Sequence, residues 1–490
     1  MTTTVDSDLT RTDRPSPIEP SRDAVLARLG LRFTNWAEHW FPDAYVFVCL
    51  AVAVVAIAAM VNGASPVVVA KSFGDGFWSL IVFTMQMAIV AIGGYVVASS
   101  PPAAHLIDRL AAIPRRGAGA VAFVAAVSML TSLLSWGLSL IFSALLVRAL
   151  ARRADLRMDY RAAGAAAYLG LGATWALGLS SSAAQLQANA ASLPKSLLQI
   201  TGVIPFAETI FLWQSLVLAL VLISISIVIA LLSAPSDATA VTAQMMDVPA
   251  EQTQETQLAA RERPGEWLEY SPLLTLIVVA LGGGWVVQEF ASKDPIVAIS
   301  NLNTYNLLFL MLGMLLHWRP RSFINAVAKA VPATAGVLIQ FPLYGAIATM
   351  MTGAKGFGGH TVADQIAHAF VSLTTAGTFP VAMGIYSAVL GFFVPSGGGK
   401  WIIEAPYVMQ AANDLKVHLG WAVQVYNTAE ALPNLINPFW MLPLLGVLGL
   451  KARDIVGFTF LQLLVHFPVV LFLLWLFAPM LPYHPPVIPQ

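Results

Sequence analysis

Apolar residues are arranged along this chain in long runs, and charged residues are concentrated in the shorter segments between them. A helix that crosses a membrane needs about 20 predominantly apolar residues. By this criterion the pattern predicts about nine full spans, at 45–61, 76–98, 161–180, 206–233, 271–290, 303–318, 331–352, 420–449 and 455–478. Two further apolar stretches, 118–147 and 378–412, are interrupted near their middle by serine and glycine. The sequence therefore predicts an all-α polytopic membrane protein.

The basic residues between the runs indicate on which side each loop lies, because Lys and Arg accumulate on the cytoplasmic side. Arginines that precede the first span place the N-terminus inside. The loops on either side of 118–147 are both basic and contain Arg109, Arg115, Arg116, Arg148, Arg152, Arg153, Arg157 and Arg161. This stretch must therefore enter and leave by the cytoplasmic face. The same alternation requires 378–412 to enter and leave by the outer face, so the sequence predicts two re-entrant helical hairpins.

The hairpins lie at corresponding places in two similar halves. FTMQMAIVAIGGY at 83–95 parallels VLIQFPLYGAIATM at 337–350, which aligns Gln86 with Gln340. We divide the chain into a polar cytoplasmic tail at 1–35, a first repeat at 36–233, a cytoplasmic linker at 234–270, a connecting span at 271–302 and a second repeat at 303–480. The connecting span reverses the second repeat, and such inverted-topology repeats are typical of transporters that bind substrate near the membrane midplane.

Composition supports a membrane protein and argues against several other functions. Hydrophobic residues make up 58% of the 490, charged residues make up 11%, and the mean hydropathy is +0.74, whereas a soluble domain is about one quarter charged. The net charge of zero gives no indication of nucleic-acid binding, and the eight histidines show no metal-ligand spacing. No acid pair or Ser/His pair is placed for catalysis. We expect no cofactor, no metal site except one for Na+, and no enzyme activity.

The glycine run inside 378–412 is the first candidate for chemistry. Val394 stands six residues before Lys400 in VPSGGGKW, so the spacing of a phosphate-binding P-loop is not met. A glycine-rich turn that opens a helix presents free N–H groups to an anion such as a carboxylate. The predicted binding residues in this turn are Ser396, Gly397, Gly398 and Gly399. Glycines that serve close helix packing would give the same pattern.

Three charged residues lie inside apolar stretches of the second half. Lys400 lies one helical turn before Glu404, so the two can pair; alternatively, Lys400 contacts the substrate directly. Glu430 lies in the span 420–449, which has no basic residue, and an acid without a partner in a low-dielectric site tends to keep its proton. Glu430 is therefore a candidate proton carrier.

Two alternatives for the surroundings of Glu430 stay open. Its carboxyl group could be fixed by hydrogen bonds from Asn427, Thr428 or Asn434. The oxygens of these side chains could instead bind Na+. In that case the ligands would include hydroxyl groups from the polar interruption of the first half, at Ser180, Ser181 and Ser182.

Four segments resemble the bacterial short-chain fatty acid transporter family: GDGFWSLIVFTMQMA (74–88), TYNLLFLMLGMLLH (304–317), VPSGGGKW (394–401) and NPFWMLPLL (437–445). The resemblance implies two inverted repeats, a homodimer and an elevator-type alternating-access mechanism. It also implies two hairpin tips that bind substrate, one at Ser135, Trp136 and Gly137 and the other at Ser396–Gly399. Gln86 and Gln340 complete the candidate substrate site. The chain departs from the family at Ser135, Lys400 and Glu404, where relatives carry Asn, a neutral or imidazole side chain, and a neutral residue.

Together, these observations predict a secondary active transporter in a bacterial cytoplasmic membrane. The expected substrates are short-chain monocarboxylates such as butyrate or acetoacetate, and the expected coupling ion is H+ or Na+. Because of Lys400, a dicarboxylate or keto acid is the alternative substrate. An intramembrane enzyme and a channel are less consistent with polar residues concentrated at two tips and two interrupted spans.

Overall fold

The computed structural model describes residues 44–153, 155–248, 260–393, 396–437 and 439–488. Regular structure in these segments is helical, apart from one isolated β-bridge between Gly202 and Val487. The predicted tail at 1–35 and the middle of the predicted linker, 249–259, lie outside the described residues. The all-α prediction is therefore confirmed for the described part of the chain.

Among the residues that the structure describes, the first half contains ten α-helices: α1 (Ala44–Val61), α2 (Pro66–Phe77), α3 (Ile81–Ala98), α4 (Pro101–Ala111), α5 (Gly117–Leu134), α6 (Trp136–Ala151), α7 (Tyr160–Leu169), α8 (Ser182–Gln187), α9 (Lys195–Thr201) and α10 (Trp213–Ser233). A π-helical turn at Gly170–Thr174 and a 3-10 turn at Trp175–Leu177 extend α7 toward α8. Such π turns in helices are frequent at functional sites.

In the described part of the connection, three helices join the halves: α11 (Glu266–Tyr270), α12 (Leu273–Ser292) and α13 (Pro295–Ser300). The second half contains α14 (Leu302–His317), α15 (Pro320–Ala330), α16 (Ala335–Gly353), α17 (Val362–Leu373), α18 (Phe379–Phe393), α19 (Gly397–Asp414), α20 (Leu419–Asn434), α21 (Leu442–Leu448) and α22 (Ala452–Phe477). Short helices alternate with long ones in the same order at the start of both halves. The helix contacts also correspond between the halves. In the first half α3 packs on α6 and on α14 of the second half, and in the second half α16 packs on α19 and on α1 of the first half. This order is what a duplicated unit requires. The repeat boundaries and the opposite orientation of the halves stay predictions.

Within the described residues, seven helices are long and apolar enough to cross a membrane. Six of them fall in the nine predicted spans, and the seventh, Gly117–Leu134, is the first arm of the predicted hairpin 118–147. The predicted spans at 45–61 and 303–318 form shorter apolar helices. The prediction of one span at 420–449 is wrong, because α20 ends at Asn434 and α21 begins at Leu442. The break lies within 427–440, where polar residues interrupt this otherwise apolar span in the sequence.

Both predicted hairpins are two helices with a break at a serine. Ser135 has an extended backbone, with φ −159° and ψ 126°, and its Oγ accepts the N–H of Leu138 at the start of α6. Ser396 has φ −152° and ψ 103°, and its Oγ accepts the N–H of Gly399 in α19. Serine is a preferred N-cap because its hydroxyl satisfies a first-turn N–H. The breaks coincide with the predicted tips, whereas the re-entrant course of the arms stays a prediction.

Candidate functional site

The two breaks face a small buried cavity. Its lining includes Trp136 from the first tip, Ser396, Gly397 and Gly398 from the second tip, Ser182 at the start of α8, and Asn434 at the end of α20. Apolar walls come from Met87, Leu171, Val337 and Phe341, and two further tryptophans, Trp175 and Trp440, close the space. The structure therefore brings together residues from both halves that the sequence placed at separate tips and interruptions.

Donors and acceptors without partners point to a polar ligand in this cavity. Asn434 is fully buried, and neither Oδ1 nor Nδ2 has a hydrogen-bond partner among the described residues. The indole Nε1 of Trp175 is buried, and no described residue accepts a hydrogen bond from it. The first N–H groups of α19, at Gly397 and Gly398, have no acceptor within their own helix. Buried polar groups are rarely left unpaired in native proteins, so these groups are suited to holding an anion.

The three tip glycines have different surroundings. A Cβ atom on Gly397 would be 2.1 Å from Trp175 Cη2, and one on Gly399 would be 2.0 Å from Tyr344 Cδ2. On Gly398 the nearest atoms, Phe83 Cε1 and Ser182 Cβ, would be 3.1 Å away. Close packing therefore accounts for Gly397 and Gly399, while Gly398 is less confined.

The first tip is held by its neighbours. The N–H of Trp136 donates to Ser180 Oγ at 2.9 Å, and the Trp136 ring packs edge-on against Trp440. Ser135 and Gly137 face α3: a Cβ on Gly94 would be 2.8 Å from Ser135 Oγ, and one on Gly137 would be 3.2 Å from the carbonyl oxygen of Ala91. Of the predicted residues in this tip, Trp136 is therefore the one that lines the cavity.

Gln86 and Gln340 do not line the cavity between the tips. Gln86 Nε2 donates to Asn303 Oδ1 at 2.8 Å, and Gln86 Oε1 accepts the hydroxyl of Ser192 at 2.9 Å. Gln86 lines instead an open, mostly apolar groove of about 640 Å³ between α3, α12 and α14. Gln340 accepts the hydroxyl of Tyr344, one turn along the same helix. Both amides are thus engaged within the protein, and their proposed contact with substrate stays a prediction.

One turn beyond the second tip, Lys400 lies in a fully buried cluster of oxygens. Lys400 Nζ donates to Glu404 Oε1 at 2.7 Å, to Ser387 Oγ at 2.7 Å and to the carbonyl oxygen of Ser387 at 3.0 Å. Glu430 Oε2 lies 2.9 Å from the same nitrogen, at ion-pair distance but without the angle of a hydrogen bond. All three charged side chains have no solvent exposure. The pair between Lys400 and Glu404 considered from the sequence is therefore present.

The description of Glu430 as an acid without a basic partner is wrong, because Lys400 reaches it from a neighbouring helix. The hydrogen bonds considered for its carboxyl group are also directed elsewhere. Asn427 Nδ2 donates to Gln424 Oε1, and Thr428 Oγ1 donates to the carbonyl oxygen of Gln424. Sequence spacing within one helix could not show a partner that comes from another.

Tyr426 connects the charged cluster to the tip. Its ring lies 4.3 Å from Lys400 Nζ, and its hydroxyl donates to the carbonyl oxygen of Gly397 at 2.5 Å. Tyr426, Ser387 and Trp175 were not predicted as site residues. Tyr426 stands four residues before Glu430, a helical spacing that could have been a signal. Ser387 and Trp175 carry no such signal, because their neighbours come from distant segments.

The serines considered as Na+ ligands have separate partners. Ser180 accepts the N–H of Trp136, Ser181 donates to Asn427 Oδ1 at 3.1 Å, and Ser182 lies 3.5 Å from the sulfur of Met87. The bond between Ser181 and Asn427 links the broken helices of the two halves. The three hydroxyls thus take part in separate contacts, and their role as Na+ ligands stays a prediction.

A second titratable cluster lies away from the tips. Glu208, His418 and His484 could offer ligand atoms within 4.8 Å of one another, and His484 Nε2 is 2.9 Å from Glu208 Oε2. His418 Nδ1 accepts the N–H of Trp421, so the neutral ring carries its proton on Nε2 and has no lone pair free for a metal. Burial is the main cause that lowers the pKa of His418 to about 4.

Comparison with known proteins agrees with this architecture. The sequence model of the family described as "Short chain fatty acid transporter" matches residues 25–477. A protein of Escherichia coli (strain K12) named "Putative short-chain fatty acid transporter" is 34% identical over 441 residues, covering 90% of this chain and 97% of the relative. A protein of the same name from Haemophilus influenzae is 30% identical over 450 residues, covering 91% and 98%.

Two solved structures have a similar fold. Neisseria gonorrhoeae MtrF, described with a class of antimetabolite efflux pumps, matches with a TM-score of 0.53 and 14% identity, over 94% of this chain and 100% of MtrF. The Alcanivorax borkumensis YdaH transporter, described as having an unusual topology, matches with a TM-score of 0.52 and 13% identity, over 92% and 98%. At these identities the likeness concerns the fold alone. From the family match and the two curated relatives, this chain belongs to the short-chain fatty acid transporter family, and it is a multi-pass membrane protein of a transporter family and not an enzyme.

Proposed function

We propose that this protein is a secondary active transporter of short-chain monocarboxylates such as butyrate and acetoacetate, located in a bacterial cytoplasmic membrane. The observation that carries the proposal is the cavity between the two tips, where donors without partners meet apolar walls. A short-chain carboxylate has the matching chemistry, with one charged end and one alkyl end.

The carboxylate is held by the first-turn N–H groups of α19 and by the side-chain donors of Asn434 and Trp175. The positive end of the helix dipole of α19 favours the negative charge. Met87, Leu171 and Phe341 surround the alkyl chain. A hydrocarbon wall of this kind distinguishes chain lengths weakly, since one methylene is worth about 0.8 kcal/mol, so we expect several short acids to be accepted.

Movement of the tips is part of the proposal. The cavity measures about 30 Å³, far below the roughly 300 to 1,000 Å³ of ordinary ligand pockets. Substrate entry therefore requires one tip to separate from the other. We propose an elevator-type movement of the hairpins against the rest of a homodimer, with the two halves as inverted-topology repeats.

We assign the coupling of ion movement to substrate transport to the charged cluster of Lys400, Glu404 and Glu430. Lys400 supplies one positive charge, and ionised Glu404 and Glu430 supply two negative charges, in a site with no solvent exposure. An uncompensated charge at this depth is costly, so one bound cation completes the site. Tyr426 and Asn434 connect this cluster to the carboxylate, because Tyr426 bonds the tip and Asn434 follows Glu430 by one helical turn.

The dicarboxylate alternative has less support. Lys400 has three N–H groups, and they are directed to Glu404 and Ser387. Its ammonium group therefore has no donor left for a second carboxylate of the substrate. We favour monocarboxylates for this reason.

The test is uptake of labelled butyrate, acetoacetate and succinate into proteoliposomes that contain the purified protein, with empty liposomes as the control. We expect gradient-dependent accumulation of the two monocarboxylates and little uptake of succinate. Accumulation of succinate above that of both monocarboxylates would favour the dicarboxylate alternative. The proposal fails if imposed ion gradients drive accumulation of none of the three acids.

A further inference from the structure

The oxygens around Lys400 Nζ form a complete cation-binding set. Two come from Ser387, its hydroxyl and its carbonyl, and two come from the carboxyl groups of Glu404 and Glu430, at 2.7 to 3.0 Å. They are supplied by three different helices, α18, α19 and α20. Carboxylate, hydroxyl and backbone carbonyl oxygens are the ligands that hard metal cations prefer, and transporters use such oxygens at broken helices to bind Na+.

We propose that the Lys400 ammonium group is a tethered cation that occupies a metal-ion site, and that its presence makes the proton the coupling ion of this transporter. The second part rests on the proposed transport function. The first part concerns only the oxygens of Ser387, Glu404 and Glu430 around Lys400 Nζ, which we call the oxygen cage, so it can be tested without a transport measurement.

The charge balance supports this assignment. Without Lys400 the cage would hold two carboxylates, and a monovalent metal ion at the position of the ammonium group would supply the same single positive charge. With Lys400 in place, one negative charge remains when both acids are ionised. One proton on Glu404 or Glu430 brings the cluster to neutrality, so each cycle requires one proton and no metal ion.

The packing is tight on two sides of the ammonium group. A Cβ atom on Gly391 would be 2.8 Å from Glu430 Oε2 and 3.4 Å from Lys400 Cε. A methyl group is therefore already too large on this side of the cage. The Tyr426 ring covers another side, 4.3 Å from Lys400 Nζ.

The other titratable groups that face the cluster bring no positive charge. They are phenols: Tyr344 on α16, Tyr386 on α18, Tyr407 on α19 and Tyr426 on α20. Tyr386 and Tyr407 bond each other through their hydroxyl groups at 2.8 Å. Among the described residues near the two acids, the compensating charge is that of Lys400.

The direct test replaces Lys400 with methionine, which has a similar length and no charge. The thermal stability of the purified full-length variant is measured in NaCl and in choline chloride at equal concentration. We expect NaCl to raise the Tm of Lys400→Met by about 2 °C or more, because a bound ion stabilises the folded state, and to leave the wild type unchanged. Lys293→Met is the matched control, since Lys293 also pairs with a glutamate one turn away, Glu289, but is exposed. It should show no response specific to Na+.

A double and a triple variant keep the test decisive if Lys400→Met does not fold. Lys400→Met with Glu404→Gln retains one carboxylate and should still respond to Na+. Addition of Glu430→Gln removes the last carboxylate, and the neutral triple variant should fold without any response. The cage assignment is overturned if Na+ raises the Tm of neither Lys400→Met nor the double variant. It is also overturned if Na+ raises the Tm of the triple variant as much as that of the variants that retain a carboxylate.

The coupling assignment is tested with the wild type in proteoliposomes. An inwardly directed proton gradient, with the exterior acidic, should drive butyrate accumulation in the complete absence of Na+. Accumulation that requires a Na+ gradient would overturn the coupling assignment. If no acid is transported under either gradient, the proposed function fails, whereas the Tm response of the variants still decides whether Lys400 occupies a cation cage.

Discussion

Gly391 in α18 leaves the space that the Glu430 carboxyl group occupies in α20. A Cβ atom on Gly391 would be 2.8 Å from Glu430 Oε2 and 2.9 Å from Pro433 Cγ. Both atoms belong to a buried, tightly packed helix, so neither can move away freely. The position of the acid therefore depends on the absence of a side chain at residue 391.

Gly391→Ala should displace the Glu430 carboxyl group from Lys400. Inserting a methyl group into a packed interior typically destabilises a protein by about 1 to 3 kcal/mol, and we expect a lower Tm together with slower butyrate uptake per folded protein. Gly384→Ala is the control on the same helix, because its nearest neighbour is the flexible end of Leu471, at 3.1 Å. Equal effects of the two substitutions on uptake would show that Gly391 has no special relation to Glu430.

Gly398→Ala should separate ligand binding from helix packing at the second tip. The Cβ would be 3.1 Å from its nearest neighbours, so we expect nearly normal yield of folded protein and weaker binding of carboxylate. Gly397→Ala places its Cβ 2.1 Å from the Trp175 ring and should lower the yield strongly. The measurements are size-exclusion yield and apparent KM for butyrate. An equal loss of yield in both variants would favour a pure packing role for the glycine run.

Asn434→Leu should weaken substrate binding more than it weakens the fold. Its side-chain amide has no partner among the described residues, so substitution removes no internal hydrogen bond. A hydrogen bond to a charged group is worth about 1.5 to 3 kcal/mol, which corresponds to at least about a tenfold rise in KM for butyrate.

The matched control for Asn434 is Asn427→Leu, two helical turns earlier on α20. Asn427 bonds both Ser181 and Gln424, so its replacement should lower the Tm clearly. An unchanged KM in Asn434→Leu would exclude Asn434 from the carboxylate site.

His418 should make stability depend on pH. Its pKa is about 4 in the folded protein, against 6.5 for an ordinary histidine, chiefly because of burial. Between these values the unfolded chain binds more protons than the folded one, so the free energy of unfolding rises with pH in this window and falls on acidification.

The test of this window compares His418→Asn with the wild type. Asparagine can keep the N-cap of α20 without titrating near pH 5, so the Tm of the variant should fall less between pH 6.5 and pH 4. The exposed residue His105 provides the control, and His105→Asn should follow the wild type. The same decline in Tm for His418→Asn and wild type would contradict the assignment.

Local signals in the sequence predicted the hairpin breaks. Ser396 stands directly before three glycines, and Ser135 stands two residues before Gly137; both lie in otherwise apolar stretches, and each caps the following helix. The break after Asn434 falls in the polar interruption that the sequence shows at 427–440, although one continuous span was predicted over 420–449. Short helices that begin at Pro66, Pro101 and Pro320 were also missed, although proline in the first helical turn is a local signal.

The candidate site was predicted less completely than the fold because its key contacts join distant segments. The i, i+4 spacing correctly placed Lys400 beside Glu404. It could not show that Glu430, thirty positions further along the chain, meets the same ammonium group. The cavity likewise depends on Trp175, whose indole approaches Gly397 from the other half of the chain.

The most direct test of the account compares wild type and Glu430→Gln in proteoliposomes loaded without Na+. With an acidic exterior, the wild-type proteoliposomes should accumulate labelled butyrate above the level that passive distribution across the membrane reaches. Glu430→Gln should lose this accumulation because its side chain cannot exchange a proton, yet it should still exchange labelled for unlabelled butyrate in counterflow. Retention of wild-type accumulation and pH dependence by Glu430→Gln would contradict the central claim that this buried acid couples proton movement to carboxylate transport.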